Sequence, residues 1–402
     1  MDRQLVDSAK VKFGRFKFKK RSYPAGFYQL VLNDTDRVDL ILVPNEKEVK
    51  LEFNGLPLQQ HILVLVSDEN KRLWEYKQIS RRSQERIAVL KGHRNSVDAD
   101  DTAGNNALDS LEENIRSAQR IALDRLLEQD PASYFSHVVK SDRAVSAVLN
   151  MEPLALAHVI DWADDRILRS TVFPKALMAW IQHCSPELPD GYISAIDSVM
   201  TWTRPNPQAW SYARSYFIRL FEQYGPDPVA QYVVDKYAVG PDVLVPLDKE
   251  LATLLTERAK VSIGAIAPNV VLPDPQTNDT IRSEAIITSN EFTCIFFYSS
   301  NCDHCHEQIP LLNQIRKTYE DKDFELIGIA LDADLEEFQQ TLIDLGIKWP
   351  SFSDLIGWGS PAAKAFQVKA TPTFFLLDRK GAIIAKPYDS KELEVELKRR
   401  LP

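Results

Sequence analysis

Two of the four cysteines in this 402-residue chain stand three positions apart, in Cys302-Asp303-His304-Cys305, and no other grouping carries so definite a chemistry. One thiolate can attack a disulfide, and a second thiol one helical turn away can resolve the mixed disulfide that forms. Cys302 is the expected attacker and Cys305 the expected resolver. The pair follows an apolar run, Phe292 to Tyr298, and opens a helical pattern. Cys302 should therefore lie at a helix N-terminus, where unpaired backbone N–H groups stabilise a thiolate. Protonated His304 would lower the Cys302 pKa and Asp303 would raise it. Glu307 is a candidate proton acceptor for Cys305, with water as the alternative and a plain surface carboxylate as the simpler reading.

Other residues offer weaker chemistry. A C-x-x-C can be half of a zinc site, and His304 and His306 flank Cys305, but positions two apart on a helix diverge. His61, His93, His137, His158 and His183 lack cysteine or carboxylate at ligand spacing, so no metal is expected. Cys294, within the apolar run, reads as a small buried hydrophobe, and Cys184 as a packed thiol. The acidic stretch from Ser96 to Asn106 lacks EF-hand order and reads as an exposed loop. Asp164-Asp165 points two ways around a helix and reads as surface. Trp210, Phe217, Phe221 and Tyr224 keep helical spacing and read as a core face.

The elements that must position the dithiol run strand, helix, strand, helix, two strands, helix. They are Phe292–Tyr298, Asp303–Tyr319, Phe324–Leu331, Leu335–Leu345, Thr373–Leu377, Ala382–Ala385 and Lys391–Leu401, with Asp378 to Gly381 as the hairpin connection. Ahead of them, Ala259 to Asn269 forms a short linker with Gly264 and Pro268. Residues 81–260 read as an all-α domain cut into five or more helices by Pro131, Pro174, Pro205, Pro207, Pro226 and Pro241, the helical period setting in near Ser80. Residues 1–80 read as a β-rich domain, a small antiparallel sheet. In it Val11 to Phe18 is expected as a strand bulged at Gly14, and Val38–Val43 and Ile62–Val66 as strands covered on both faces. The chain is thus expected to be multidomain, with a C-terminal α/β domain over 263–402.

That last order, together with Cys302-Asp303-His304-Cys305, Pro310 in the helix and Val368-Lys369-Ala370-Thr371-Pro372-Thr373-Phe374-Phe375, resembles the thioredoxin superfamily and within it the TlpA/ResA-like thiol–disulfide oxidoreductases. The resemblance implies a thioredoxin fold and an enzyme that exchanges disulfides with proteins or small thiols, most simply as a reductase. It implies no cofactor beyond the redox-active Cys302–Cys305 disulfide. The proline matching Pro372 is cis in that family and faces the dithiol, so Thr371 and Pro372 become the expected substrate-binding residues. The whole layout resembles large TlpA-like envelope proteins of Bacteroidetes-type bacteria. This implies a periplasmic or cell-envelope setting, with a cytoplasmic one as the alternative, and a membrane or soluble thiol electron donor.

The chain departs from the family pattern in three places. Ser300-Asn301 replaces the aromatic that many relatives carry before the first cysteine, and the two acid positions used in the superfamily are Phe296 and Gln308 here. Ile295 stands where a peroxidase signature needs proline, which disfavours peroxide reduction. The rival class is a binding or scaffold protein in which the thioredoxin-like part is a docking module. A net charge of -9 with no basic stripe argues against nucleic acid, and no apolar stretch reaches the roughly 20 residues of a membrane span. The opening Met1 to Leu5 has no signal-peptide core, which fits a trimmed or mature N-terminus.

Overall fold

The computed structural model describes residues 5–94, 97, 101–184 and 189–401. Its contacts separate two compact units: residues 1–185 with 201–209, and residues 186–200 with 210–402. Asp98 and Asp100 of the acidic stretch lie outside the described residues, as does the side chain of Cys184. No described helix is long and apolar enough to cross a membrane.

The first unit opens with two separate antiparallel ribbons, β1 (Gly26–Val31) with β2 (Arg37–Leu42) and β3 (Lys50–Phe53) with β4 (Ile62–Val66). Three expectations fail here. Val11 to Phe18 is no bulged strand: Lys12 and Arg15 exchange both backbone hydrogen bonds around Phe13 and Gly14, which have φ 52° and 72°. Two successive left-handed residues make a tight hairpin turn, and this is what flips the apolar parity at Gly14. The run in β4 is covered on one face only, with Leu63, Leu65 and Val66 exposed, because a two-stranded ribbon has no second layer above it. The first helix, α1 (Asp68–Arg94), begins well before Ser80, since the Ser67 hydroxyl accepts the Asn70 N–H at its start.

Three further helices are α2 (Thr102–Gln129), α3 (Tyr134–Met151) and the short α4 (Leu156–Val159), followed by α5 (Val172–Cys184). Asp164 is not a surface residue as expected. It caps a 3-10 turn by accepting the Arg166 N–H, and its carboxylate meets His137 Nε2 at 2.7 Å. Helix α6 (Pro189–Thr203) leads to α7 (Pro207–Tyr224), whose Trp210, Phe217 and Phe221 are core while Tyr224, at the helix end, is exposed. Helices α8 (Asp227–Val233) and α9 (Lys249–Ala259) complete the helical part of the second unit.

The rest of that unit is a thioredoxin-like domain. A hairpin of β5 (Val271–Pro273) and β6 (Thr280–Arg282) and the turn of helix α10 (Ser283–Ile287) precede it. Then come β7 (Phe292–Tyr298), α11 (Asp303–Thr318), β8 (Phe324–Ala330), α12 (Leu335–Asp344), β9 (Ser351–Phe352) and α13 (Pro361–Ala365). Strands β10 (Thr373–Asp378) and β11 (Ile383–Ala385) and helix α14 (Ser390–Arg400) end it. The five strands lie in the order β11-β10-β7-β8-β9, with β7, β8 and β9 parallel and β10 antiparallel to β7. Alternate residues of β7 feed the two faces: Cys294, Phe296 and Tyr298 pack under α11 and α14, and Ile295 and Phe297 face Phe366 and Phe375 on the other side.

Candidate functional site

The dithiol is placed by the end of the central strand. Strand β7 finishes at Tyr298, three residues turn, and Cys302 becomes the N-cap of α11 in extended conformation. Cys305, Ile309 and Leu312 occupy one helical stripe and are fully buried against the sheet, so packing fixes the rotation of the helix. Burial of each such side chain is worth about 1.5–3 kcal/mol. Cys302 and Cys305 are joined as a disulfide with Cα atoms 5.2 Å apart. Cys302 stays half-buried whereas Cys305 is enclosed. The Cys305 N–H points at Cys302 Sγ from 3.2 Å. Such a donor stabilises charge on that sulfur when the pair is reduced.

The loop before β10 closes the other side. The Thr371–Pro372 peptide bond is cis, and the Thr371 carbonyl oxygen lies 3.5 Å from Cys302 Sγ. Strand β10 runs antiparallel to β7 with Thr373 opposite Phe297, so its beginning and the end of β7 share one edge. The structure thus brings together Cys302, Cys305, Thr371 and Pro372. It leaves Asp303, His304 and Glu307 on the exposed side of the first turn of α11, with His304 Nδ1 3.4 Å from Glu307 Oε2. His306 turns the other way, its Nε2 shielded from solvent, so the two histidines diverge. No group of three or more potential metal ligands occurs among the described residues. Burial pushes the Cys294 thiol well above its ordinary pKa, which keeps it a packing residue.

One residue escaped the sequence reading. Asp332, just after β8 and 3% exposed, accepts hydrogen bonds from Ser299 Oγ (3.1 Å), the Ser300 N–H (2.8 Å) and Ser300 Oγ (2.7 Å). It grips the stretch that delivers Cys302. Its own backbone carbonyl accepts the Gly357 N–H at 3.1 Å, tying in the loop after β9. Nothing in the local pattern announces it, since its partners are 32 and 33 positions away. Gln308, at the position of a family acid, instead accepts both the N–H and the hydroxyl of Ser390 at the start of α14, 2.9 and 2.7 Å.

Residues 263–386 match the AhpC/TSA family. The chain is 30% identical over 152 residues to the thiol-disulfide oxidoreductase ResA of Bacillus thuringiensis subsp. konkukian, a stretch that covers 37% of this chain and 83% of that relative. Among solved structures, a thiol-disulfide oxidoreductase from Bacteroides fragilis aligns at 28% identity over 34% of this chain and 99% of that one, with a TM-score of 0.32. A thioredoxin-like protein from Bacteroides caccae aligns at 17% identity over 61% of this chain and 92% of that one, with a TM-score of 0.43. With a relative of that identity covered over most of its length, the chain belongs, through its C-terminal thioredoxin-like domain, to the TlpA/ResA-like thiol-disulfide oxidoreductases.

Proposed function

We propose that the protein is a disulfide reductase acting on protein or small-thiol disulfides through Cys302 and Cys305. The observation that carries this is the half-buried Cys302 sulfur at a helix N-terminus, facing the Thr371 carbonyl beside cis-Pro372. With the pair reduced, the Cys302 thiolate attacks one sulfur of the substrate, forming a mixed disulfide and expelling the first substrate thiolate. The Cys305 thiol gives its proton to water, and its thiolate then attacks Cys302 Sγ, expelling the second substrate thiolate. Two electrons pass to the substrate. The protein disulfide left behind is reduced again by a dithiol donor, membrane-bound or soluble. An extended substrate chain lies along the Thr371–Pro372 edge.

The same reading places the protein in the cell envelope, needing no cofactor other than its own disulfide. It confines the redox chemistry to residues 263–402, the last of the three parts expected from the sequence. The test is the reduction potential of the pair, measured by equilibration with glutathione buffers. Reference values are about -270 mV for thioredoxin and about -120 mV for a strong oxidant. A value near the first supports a reductase and a value near the second reverses the direction. Cys302→Ser should abolish disulfide reduction, and Cys305→Ser should trap the mixed disulfide. A pair that never cycles would leave only a docking role.

A further inference from the structure

The edge of the sheet that carries the dithiol also carries exposed apolar residues that nothing in the core explains. Strands β7, β8 and β9 are parallel, so the segments that follow them emerge on one side: Ser299–Cys302, Leu331–Asp334 and Ser353–Gly359. Hydrogen bonds join the three. Asp332 holds Ser299 and Ser300 through its side chain and Gly357 through its carbonyl. Gly357, at φ 61°, has its missing Cβ position 3.8 Å from Ala333, so the loop after β9 rests on the loop after β8. Leu335, the first residue of α12, and Ile356 and Trp358 of the loop after β9 are 38%, 57% and 53% exposed. Large apolar groups left exposed on segments bonded to the one that delivers a reactive centre mark a contact surface. Their surroundings are acidic: Glu336 and Glu337 are exposed on the first turn of α12, and Asn301, adjacent to Cys302, has its amide nitrogen 3.3 Å from Glu337 Oε2.

We infer that Leu335, Ile356 and Trp358 form a shelf that receives the flank of a polypeptide disulfide, and that the preferred flank carries an apolar or aromatic residue and a basic residue. This rests on the dithiol chemistry proposed above and names its substrate class. Trp358 supplies the apolar contact, and Glu336 and Glu337 supply the charge complementarity. A small disulfide that touches only Cys302 does not reach the shelf.

The test uses the full chain, reduced and freed of reductant, in single-turnover reactions with three disulfides. Two are cystine-bridged peptides of equal length, one with Trp and Arg beside the cystine and one with Ser and Asp there; the third is hydroxyethyl disulfide. The Trp/Arg peptide should react at least about tenfold faster than the Ser/Asp peptide, and the advantage should shrink at high salt. Trp358→Ser should lower the ratio of the Trp/Arg-peptide rate to the hydroxyethyl disulfide rate about tenfold. Glu336→Gln with Glu337→Gln should remove most of the salt dependence. Equal rates for the two peptides in the wild type, or a uniform fall for all three disulfides in Trp358→Ser, would overturn the shelf. Failure to reduce even hydroxyethyl disulfide would overturn the dithiol reading itself, so the two failures are distinguishable.

Discussion

Asp332 makes three hydrogen bonds to one short stretch of chain, and Cys302 is two residues beyond that stretch. Removing its carboxylate in Asp332→Ala takes the acceptor from the half-buried Ser300 N–H and Ser299 hydroxyl and leaves the Ser300 hydroxyl only the Glu337 carbonyl, at a cost of up to about 1–3 kcal/mol per unpaired group. The expected result is a lower unfolding midpoint together with a slower, pH-shifted alkylation of Cys302. Asp332→Asn, which can keep part of the pattern, should fall between the two. A variant with lowered stability but an unaltered Cys302 pH profile would make Asp332 merely structural. Glu307 invites the opposite expectation. It is exposed and faces His304, so Glu307→Gln should leave the pH dependence of the resolving step unchanged, as measured by release of the second substrate thiol. That Cys302, Cys305 and Pro372 meet in space was legible because local spacing, and the resemblance it supports, put them at the adjoining ends of β7, α11 and β10. Asp332 was not, because its meaning comes from serines brought near only by the parallel pairing of β7 and β8.

Gln308 shows how two helices fix each other around the dithiol. Its side-chain oxygen holds the start of α14 by accepting from Ser390, and it lies one turn past Cys305 on α11. Gln308→Ala should lower stability by about 1–3 kcal/mol, seen in denaturant unfolding, because the buried Ser390 N–H loses its acceptor. Gln308→Glu keeps an acceptor and adds negative charge near the thiols. It should disfavour their thiolates and make the pair harder to reduce, a shift to more negative potential. The seven elements expected from Phe292 onward lie within a residue or two of those observed, because apolar runs and helical stripes there are strong and their ends well marked, whereas the five-residue α13 was not among them. Strand β9 has two residues and no periodicity to read. The hairpin at Phe13-Gly14 hid behind alternation that a turn and a bulge produce alike.

Packing within the second unit crosses the change of sequence pattern near Ile263. Val261 already belongs to the core of the thioredoxin-like domain, and Lys386, after β11, reaches Asp227 at the start of α8 with Nζ 2.6 Å from Oδ1. Arg258 of α9 is buried too, its pKa pulled down to about 10 by burial, and it pairs with both Glu222 and Asp227. Asp227 therefore serves two desolvated cations, and no composition or period could have announced such a junction. If α7–α9 were only a tether, these contacts would behave as surface pairs worth about 0–1 kcal/mol. If they are a built interface, Asp227→Asn should cost about 3–5 kcal/mol, because buried Lys386 loses its carboxylate and buried Arg258 is left with Glu222 alone. Lys386→Met, which leaves Asp227 paired with Arg258, should cost much less. Burial pushes the Lys386 pKa down despite Asp227, so the unfolded chain holds that proton more tightly than the folded one. This group's contribution should accordingly rise with pH between the lowered folded value and the ordinary lysine value, and in Asp227→Asn the rise should begin at lower pH. Thermal unfolding of the two variants and the parent across that alkaline range checks both statements: parallel curves with equal midpoints would reduce α7–α9 to a tether.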